Sequence, residues 1–125
     1  MQFNQSQAIY LQIADYVCDR IQLGQLLPDG KVPSVRELAV TLEVNPNTIM
    51  RAYEHLQLQE IIYTRRGMGY FVSPAALTKL ADLRREQFLT EELPVFFHKM
   101  HLLGIELDQL KSRYDAFRAA KQQNQ

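Results

Sequence analysis

The chain has 125 residues, 46% of them hydrophobic, and its 14 lysines and arginines balance its 14 aspartates and glutamates. This length allows one modest core, or a small domain with an appendage that a partner must cover. Zero net charge excludes a general basic excess, so any contact with nucleic acid must come from a few locally placed cations. The N-terminus has no signal-peptide pattern and no apolar run approaches the roughly 18 residues of a membrane span, so we expect a cytoplasmic protein without a membrane partner.

The first predicted helix covers residues 6–23. Apolar residues recur at helical spacing from Ile9 to Ile21, and Gly24 follows as a stop signal. Cys18 lies inside this apolar stripe and is the single cysteine of the sequence, which excludes an intramolecular disulfide and a multi-cysteine zinc site. We therefore predict an inert thiol in the core.

Two more helices are predicted from the chemistry of their first residues. Ser34 and Glu37 have the spacing of a capping box, in which each residue bonds the backbone amide of the other. Asn45 precedes Pro46, a pair that suits an N-cap and the first helical position. The sequence therefore predicts two helices, a few residues apart, that begin at these two signals.

The second of these helices has two distinct faces. Its apolar residues recur at helical spacing and form the inward stripe Ile49, Ala52, Tyr53 and Leu56. The residues left on the outward face and its flanks are Asn47, Thr48, Met50, Arg51, Glu54 and His55. This outward set is what DNA would meet if the helix is a recognition helix.

A hairpin with a basic tip follows the helices. Its two β-rich runs are Ile61-Ile62-Tyr63-Thr64 and Tyr70-Phe71-Val72. The residues between them, two of which are glycines able to adopt positive φ, are Arg65, Arg66, Gly67, Met68 and Gly69. Lys31-Val32 could form an additional, very short strand. Two helices joined by a turn and followed by a basic, glycine-rich hairpin indicate a winged-helix DNA reader.

The remaining residues are predicted to form amphipathic helices. Ser73-Pro74 repeats the N-cap and proline pattern, Thr90 is predicted to cap a further helix, and Gly104 interrupts it. The apolar residues of this region offer more surface than so short a segment can bury alone. We predict that they form a dimer interface, made by Leu93, Phe96, Phe97, Met100, Leu107, Leu110, Tyr114 and Phe117.

Residues 6–74 resemble the GntR family of bacterial transcription regulators. The segments that carry the resemblance, in the order and spacing of the family, are Ala8-Ile9-Tyr10-Leu11-Gln12-Ile13, Gly24, Pro33-Ser34-Val35-Arg36-Glu37-Leu38-Ala39, Thr48, Arg51-Ala52-Tyr53 and Arg66-Gly67-Met68-Gly69-Tyr70-Phe71-Val72. The short region after residue 73 is similar to the YtrA-like subfamily, whose helical tail mainly dimerises. Many family members have arginine at the positions of Pro46 and Met50, and glycine at that of Glu60.

The resemblance implies an α+β fold: a winged helix-turn-helix of three helices and a hairpin wing over residues 6–73, then an all-helical dimerisation region over residues 74–125. It implies a homodimer that acts as a repressor on a pseudo-palindromic double-stranded DNA operator, such as that of a transporter operon. Whether a small-molecule effector acts on the protein is left open. The residues assigned to DNA contact are Ser34, Arg36, Asn45, Asn47, Thr48, Arg51, Arg65, Arg66, Gly67, Met68 and Gly69.

Several of these contacts have a purely structural alternative. Arg36 could be a solvated arginine paired with a nearby acid, and Arg51 could form a surface ion pair with Glu54. Asn45 and Thr48 could serve only the start of their helix. The hairpin tip could be an ordinary charged turn.

Two other function classes fit the sequence less well. A winged helix can serve protein contacts alone, and such an adaptor would ignore DNA. An enzyme is disfavoured because the sequence has no Gly-Lys-Ser/Thr phosphate loop, no nucleophile elbow and no paired cysteines. His98 and His101 could share a metal, but no third ligand has a convincing spacing, so we expect neither a metal nor a cofactor.

Overall fold

A computed structural model describes residues 1–123 of the chain. The elements, in chain order, are helices α1 (Ile9–Gln22), α2 (Val35–Leu42) and α3 (Pro46–Leu58), strands β1 (Ile62–Arg65) and β2 (Gly69–Val72), helix α4 (Ala76–Gln87), a π-helical segment (Phe88–Glu92), and helices α5 (Leu93–Leu103) and α6 (Leu107–Gln123). They confirm the predicted α+β fold with a winged helix-turn-helix and a helical C-terminal part. The chain divides into two compact units, residues 1–84 and the residues from Arg85 onward. In the described part of the chain, no helix is long and apolar enough to cross a membrane.

The first unit is built around the apolar faces of α1 and α3. Its largest completely buried side chains include Ile13, Val17, Ile21, Val32, Ile49, Tyr53, Leu56, Ile61, Ile62 and Val72. The helical spacing of these residues in α1 and α3 turns one face of each helix toward a shared core, as the sequence pattern predicts. Cys18 is buried in the same core, as predicted, and its burial raises the pKa of the thiol to about 11.

Hydrogen bonds confirm both predicted helix starts. At α2 the Glu37 amide donates to the Ser34 hydroxyl oxygen at 3.0 Å, and the Ser34 amide donates to the Glu37 carboxylate at 3.3 Å, which completes the capping box. At α3 the Asn47 amide donates to the Asn45 side-chain oxygen at 2.8 Å, and Pro46 occupies the first turn. These bonds fix the residues at which the two helices begin.

The wing is a two-stranded antiparallel sheet. Arg65 pairs with Gly69, so both strands reach further toward the tip than the sequence predicts. Gly67 and Gly69 have φ of 75° and 102°, in the left-handed region that glycine adopts without strain, which allows a tight tip. The predicted short strand at Lys31 is a single bridge between Lys31 and Phe71 of β2.

The first unit continues past the wing into α4. Ala76 and Leu80 are buried in the same core as α1 and α3. Arg84 forms an ion pair with an aspartate of α1, at 2.9 Å. The division of roles between residues 6–73 and residues 74–125 stays a prediction, and the last two residues of the second region lie outside those described.

The second unit contains the π-helical segment, α5 and α6. The predicted helix start at Thr90 is wrong, because the Thr90 hydroxyl donates to the Glu86 carbonyl at 2.8 Å and the backbone on both sides of the π-helical segment is right-handed helical. Pro94 supplies a physical reason: proline has no amide hydrogen and its ring crowds the carbonyl four residues earlier, and the wider π-helical turn relieves that crowding. Gly104 ends α5 as predicted, with a φ of 66°.

Candidate nucleic-acid interface

The outward face of α3 is exposed as the sequence predicts. Its exposed residues are Asn47, Met50, Arg51 and Glu54, and its half-buried residues are Thr48 and His55. The predicted inward stripe of Ile49, Ala52, Tyr53 and Leu56 is completely buried. Because the core holds one face of α3, the helix presents the other as a firmly oriented surface.

Arg51 lies against α1. Its guanidinium carbon is 4.1 Å from the centroid of the Tyr10 ring. Within residues 1–123 no ion pair joins Arg51 to Glu54, so that structural alternative is not formed. A surface cavity of about 400 Å³ is lined by Ala8, Ile9, Tyr10, Asn47, Thr48 and Arg51. The beginning of α1 therefore borders the outward face of α3.

The first residues of α3 serve both its structure and its surface. The Asn45 side-chain oxygen accepts the Asn47 amide, so Asn45 has the helix-start role proposed as its alternative. The Thr48 amide donates to the Asn45 carbonyl at 2.9 Å. The side chains of Asn47 and Thr48 lie at the cavity that Tyr10 also lines. They are therefore placed where an approaching ligand can reach them.

A buried tyrosine joins α3 to the start of α2 and to the wing. The Tyr53 hydroxyl donates to the Pro33 carbonyl at 2.7 Å. The Tyr53 ring packs edge-on against Tyr70 of β2, with ring centroids 4.9 Å apart. Burial raises the pKa of Tyr53 above its usual range, so the hydroxyl remains a donor. This side chain therefore fixes three elements of the candidate interface relative to one another.

The first turn of α2 carries Ser34 and Arg36. Arg36 is exposed, and no ion pair within the described residues involves it. The Ser34 hydroxyl accepts the Glu37 amide but can still donate its own hydrogen. Hydrogen bonds with Ser34 hold the pKa of the Glu37 carboxyl below its ordinary value, with a smaller effect from the charge of Lys31. Lys31, three residues before Ser34, is therefore a further cation near this turn, and the sequence analysis did not assign it to DNA contact.

The two arginines of the wing have different surroundings. Arg65 lies along the sheet: its guanidinium carbon is 4.5 Å from the centroid of the Phe71 ring, and its Nη2 donates to the Tyr63 hydroxyl at 2.9 Å. The Tyr63 hydroxyl in turn donates to the Asp29 carboxylate at 2.7 Å. All residues from Arg65 to Gly69 are exposed, and Arg66, Gly67 and Met68 lie between the two strands. Arg65 therefore packs on the sheet and Arg66 lies at the tip, and both face solvent. The sequence does not reveal this difference in surroundings.

The predicted dimer-interface residues are mostly exposed within the second unit. The exposed members are Phe96, Phe97, Leu107, Tyr114 and Phe117, and the half-buried members are Leu93 and Leu110. Met100 differs because it is only 8% exposed and packs within its own chain. It can offer little surface to a second copy, whereas the exposed aromatic residues of α5 and α6 can.

His98 and His101 lie on α5 among apolar neighbours. A cavity beside His101 is lined by Phe97, Met100 and Leu107, among others. Among the residues that the structure describes, no three His, Cys, Asp or Glu side chains form a group that could hold a metal ion. Both histidines are exposed.

Comparison with known proteins finds relatives along most of the chain. The family model described as bacterial regulatory proteins, gntR family, matches residues 9–72. The HTH-type transcriptional regulator YhcF of Bacillus subtilis is 40% identical over 109 residues, which cover 87% of this chain and 88% of that protein. The HTH-type transcriptional repressor YtrA of the same organism is 37% identical over 105 residues, which cover 84% of this chain and 80% of that protein.

Solved structures agree with this relationship. The crystal structure of a GntR-family transcriptional regulator from Bacteroides thetaiotaomicron is 49% identical, with a TM-score of 0.80 over 91% of this chain and 99% of that chain. The crystal structure of AraR(DBD) in complex with an operator is 30% identical, with a TM-score of 0.52 over 58% of this chain and 93% of that chain. These proteins are transcription regulators and not enzymes. By its match to the family model and its likeness to relatives along most of its length, the chain belongs to the GntR family of bacterial transcription regulators.

Proposed function

We propose that the chain is a sequence-specific DNA-binding repressor of the cytoplasm that acts as a homodimer on a pseudo-palindromic operator. The geometry of α3 carries the proposal: its apolar stripe is buried while Asn47, Thr48 and Arg51 lie together at its outer surface. A helix held in this way can enter the major groove and contact base edges and phosphates. The relative YtrA is named a repressor, and AraR(DBD) was crystallised with an operator. These likenesses support repression and operator binding.

In the proposed complex, three parts of the first unit contact different parts of the duplex. Arg51 reads a guanine in the major groove, because the guanidinium fork matches the two acceptors of that base. Met50, 45% exposed beside it, offers an apolar contact for a thymine methyl group. Arg36 and the Ser34 hydroxyl contact phosphates at the start of α2. Arg66, at the exposed tip of the wing, enters the minor groove, where negative potential attracts arginine.

The homodimer is proposed from the apolar surface of the second unit. Tyr114 and Phe117 of α6 are 60% and 57% exposed, and Phe96 and Phe97 of α5 are exposed as well. Monomeric proteins rarely expose so many large apolar side chains within so short a segment, and a second copy would cover them. Two linked copies bind two half-sites with a raised effective concentration. The likeness to YtrA leads us to expect a transporter operon among the targets.

Selection of duplexes from a random pool, followed by footprinting, tests DNA reading. We expect two inverted half-sites with centres about 10 base pairs apart, or slightly more. Arg51→Ala should weaken binding by about 1–3 kcal/mol per copy and relax the preference at one base position. Glu54→Ala, a change at an exposed residue of the same helix, is the matched control and should not weaken binding. Arg36→Ala and Arg66→Ala should weaken all sequences evenly.

Two results would contradict DNA reading by α3. If the unmodified chain enriches no duplex and is not retained on heparin, the chain is a protein-binding adaptor and the proposal is wrong. If Arg51→Ala retains full affinity and preference, α3 does not read the operator through its outward face.

Light scattering tests the homodimer. Phe117→Glu places a charge in the exposed apolar stripe of α6, so we expect it to yield monomers with much weaker operator binding. Ser112→Glu is the matched control, because at 3.6 residues per turn it lies on the opposite side of α6, and it should remain dimeric. A monomeric unmodified chain, or dissociation by both variants alike, would contradict the proposed interface.

A further inference from the structure

One aromatic ring of α1 contacts two successive turns of α3. The centroid of the Tyr10 ring lies 4.1 Å from the guanidinium carbon of Arg51, well inside the roughly 6 Å range of a cation–π contact. The same ring meets His55 edge-on, with ring centroids 6.0 Å apart and 78° between the ring planes. Because Arg51 is exposed, this ring is a fixed neighbour of a side chain that is otherwise surrounded largely by solvent.

The Tyr10 ring is itself held in place. It is half-buried and packs against the core of the first unit, and Ile13, almost one turn further along α1, is completely buried. The buried side chain of Gln12 donates to the Asn4 and Gln7 carbonyls, at 2.8 Å each, which ties the residues before α1 to the helix. The ring is therefore a fixed surface against which Arg51 rests.

We propose that Tyr10 is a positioning residue for base reading by Arg51, an inference that rests on the proposed function. A guanidinium that stacks on an aromatic ring keeps its N–H groups available in their own plane, as a two-pronged contact with guanine requires. It also restricts a long side chain before DNA arrives, so that less conformational entropy is lost on binding. Through this contact α1 contributes to sequence preference.

The test uses the duplex that the unmodified chain enriches most from a random pool. Tyr10→Leu keeps apolar bulk but removes the ring, and we expect affinity to fall about fivefold and the preference at the base read by Arg51 to relax. Tyr10→Phe keeps the ring and should restore both. Tyr16→Leu is the matched control: Arg20 lies over the Tyr16 ring at 4.9 Å, but both residues belong to α1. This variant should leave the base preference unchanged.

A double-mutant cycle separates positioning from a general loss of stability. Tyr10→Leu should have no further effect on affinity when Arg51 is already alanine. Equal losses in both backgrounds, or unchanged binding by Tyr10→Leu alone, would overturn the positioning role while leaving the proposed function intact. If Arg51→Ala binds as well as the unmodified chain, or if the chain enriches no duplex, the reading role of Arg51 fails and the positioning role falls with it.

Nuclear magnetic resonance reports the contact in the absence of DNA. The side-chain protons of Arg51 should show a ring-current shift in the unmodified chain and in Tyr10→Phe. Tyr10→Leu should abolish that shift, and Tyr16→Leu should preserve it. An unmodified chain without the shift would overturn the inference, because the ring would then not hold Arg51 before binding.

Discussion

Replacing Tyr53 with phenylalanine isolates one hydrogen bond between α3 and the residues that precede α2. The hydroxyl lies 2.7 Å from the Pro33 carbonyl in a part-buried site, and the substitution keeps the completely buried ring. Losing the bond costs about 0.5–1.5 kcal/mol, and a carbonyl left partly without a donor adds to this, so we expect a total of about 1–2 kcal/mol. For a unit of this size, that corresponds to a fall in melting temperature of roughly 5–12 °C.

Thermal and urea unfolding at a fixed protein concentration measure this loss. Tyr63→Phe is the matched control, because the Tyr63 hydroxyl also donates at 2.7 Å, to Asp29, but in an exposed site. Water can replace that partner, so we expect a loss below about 0.5 kcal/mol. Equal midpoints for Tyr53→Phe and the unmodified chain, or equal losses for the two variants, would refute the reasoning.

The same variant has a characteristic pH dependence. Burial raises the pKa of Tyr53 above its ordinary value of about 10, so the unfolded chain loses the phenolic proton first as pH rises. The contribution to the free energy of unfolding is therefore fully present below about pH 10 and falls above it. Tyr53→Phe should lack that fall, and an identical alkaline profile would show that the hydroxyl is not protected by the fold.

Three further predictions concern stability and reactivity. Ser34→Ala should lower the free energy of unfolding in urea by about 1 kcal/mol because the α2 cap is lost, and Ser34→Thr should restore most of it; equal midpoints for all three proteins would contradict the cap. Glu43 ends α2 with a φ of 57°, a conformation that glycine adopts without strain, so Glu43→Gly should raise the free energy of unfolding by roughly 0.5–1 kcal/mol. Glu54→Gly, inside α3, should lower it by about 1 kcal/mol because glycine is a poor helix former. Effects of the same sign for the two variants would contradict this. Cys18, whose thiol has a pKa raised by burial to about 11, should react with a thiol reagent at about pH 8 only after denaturant is added, and rapid labelling of the folded protein would contradict its burial.

Local chemistry made the starts of α2 and α3 predictable from the sequence. The bonds of Ser34 with Glu37, and of Asn45 with the first amides of α3, join residues within one turn, so they depend on sequence neighbours alone. The burial of each helix face follows from the spacing of its apolar residues. The outward placement of Arg51 could be predicted because it follows from the start of α3 and the spacing of its apolar residues alone.

The surroundings of the arginines could not be predicted in this way. Tyr10 contacts Arg51 across two helices, and Asp29, Tyr63 and Arg65 form a chain of hydrogen bonds between a loop and the wing. No period or spacing in a single sequence reports a contact between residues so far apart. The packing of α4 against the core of the first unit was missed for the same reason. Only Ala76 and Leu80 of α4 are buried, and their burial depends on contacts with helices distant in the sequence.

Zero net charge is compatible with DNA reading because of where the charges lie. In the first unit, Arg84 and Lys79 are paired with acidic side chains, so they add little to an external field. Arg36 and Arg66 are exposed on the helix-turn-helix and the wing, and no ion pair within residues 1–123 involves them. The salt dependence of binding reports the number of phosphates neutralised, at a slope of about 0.9 for each, and not the net charge.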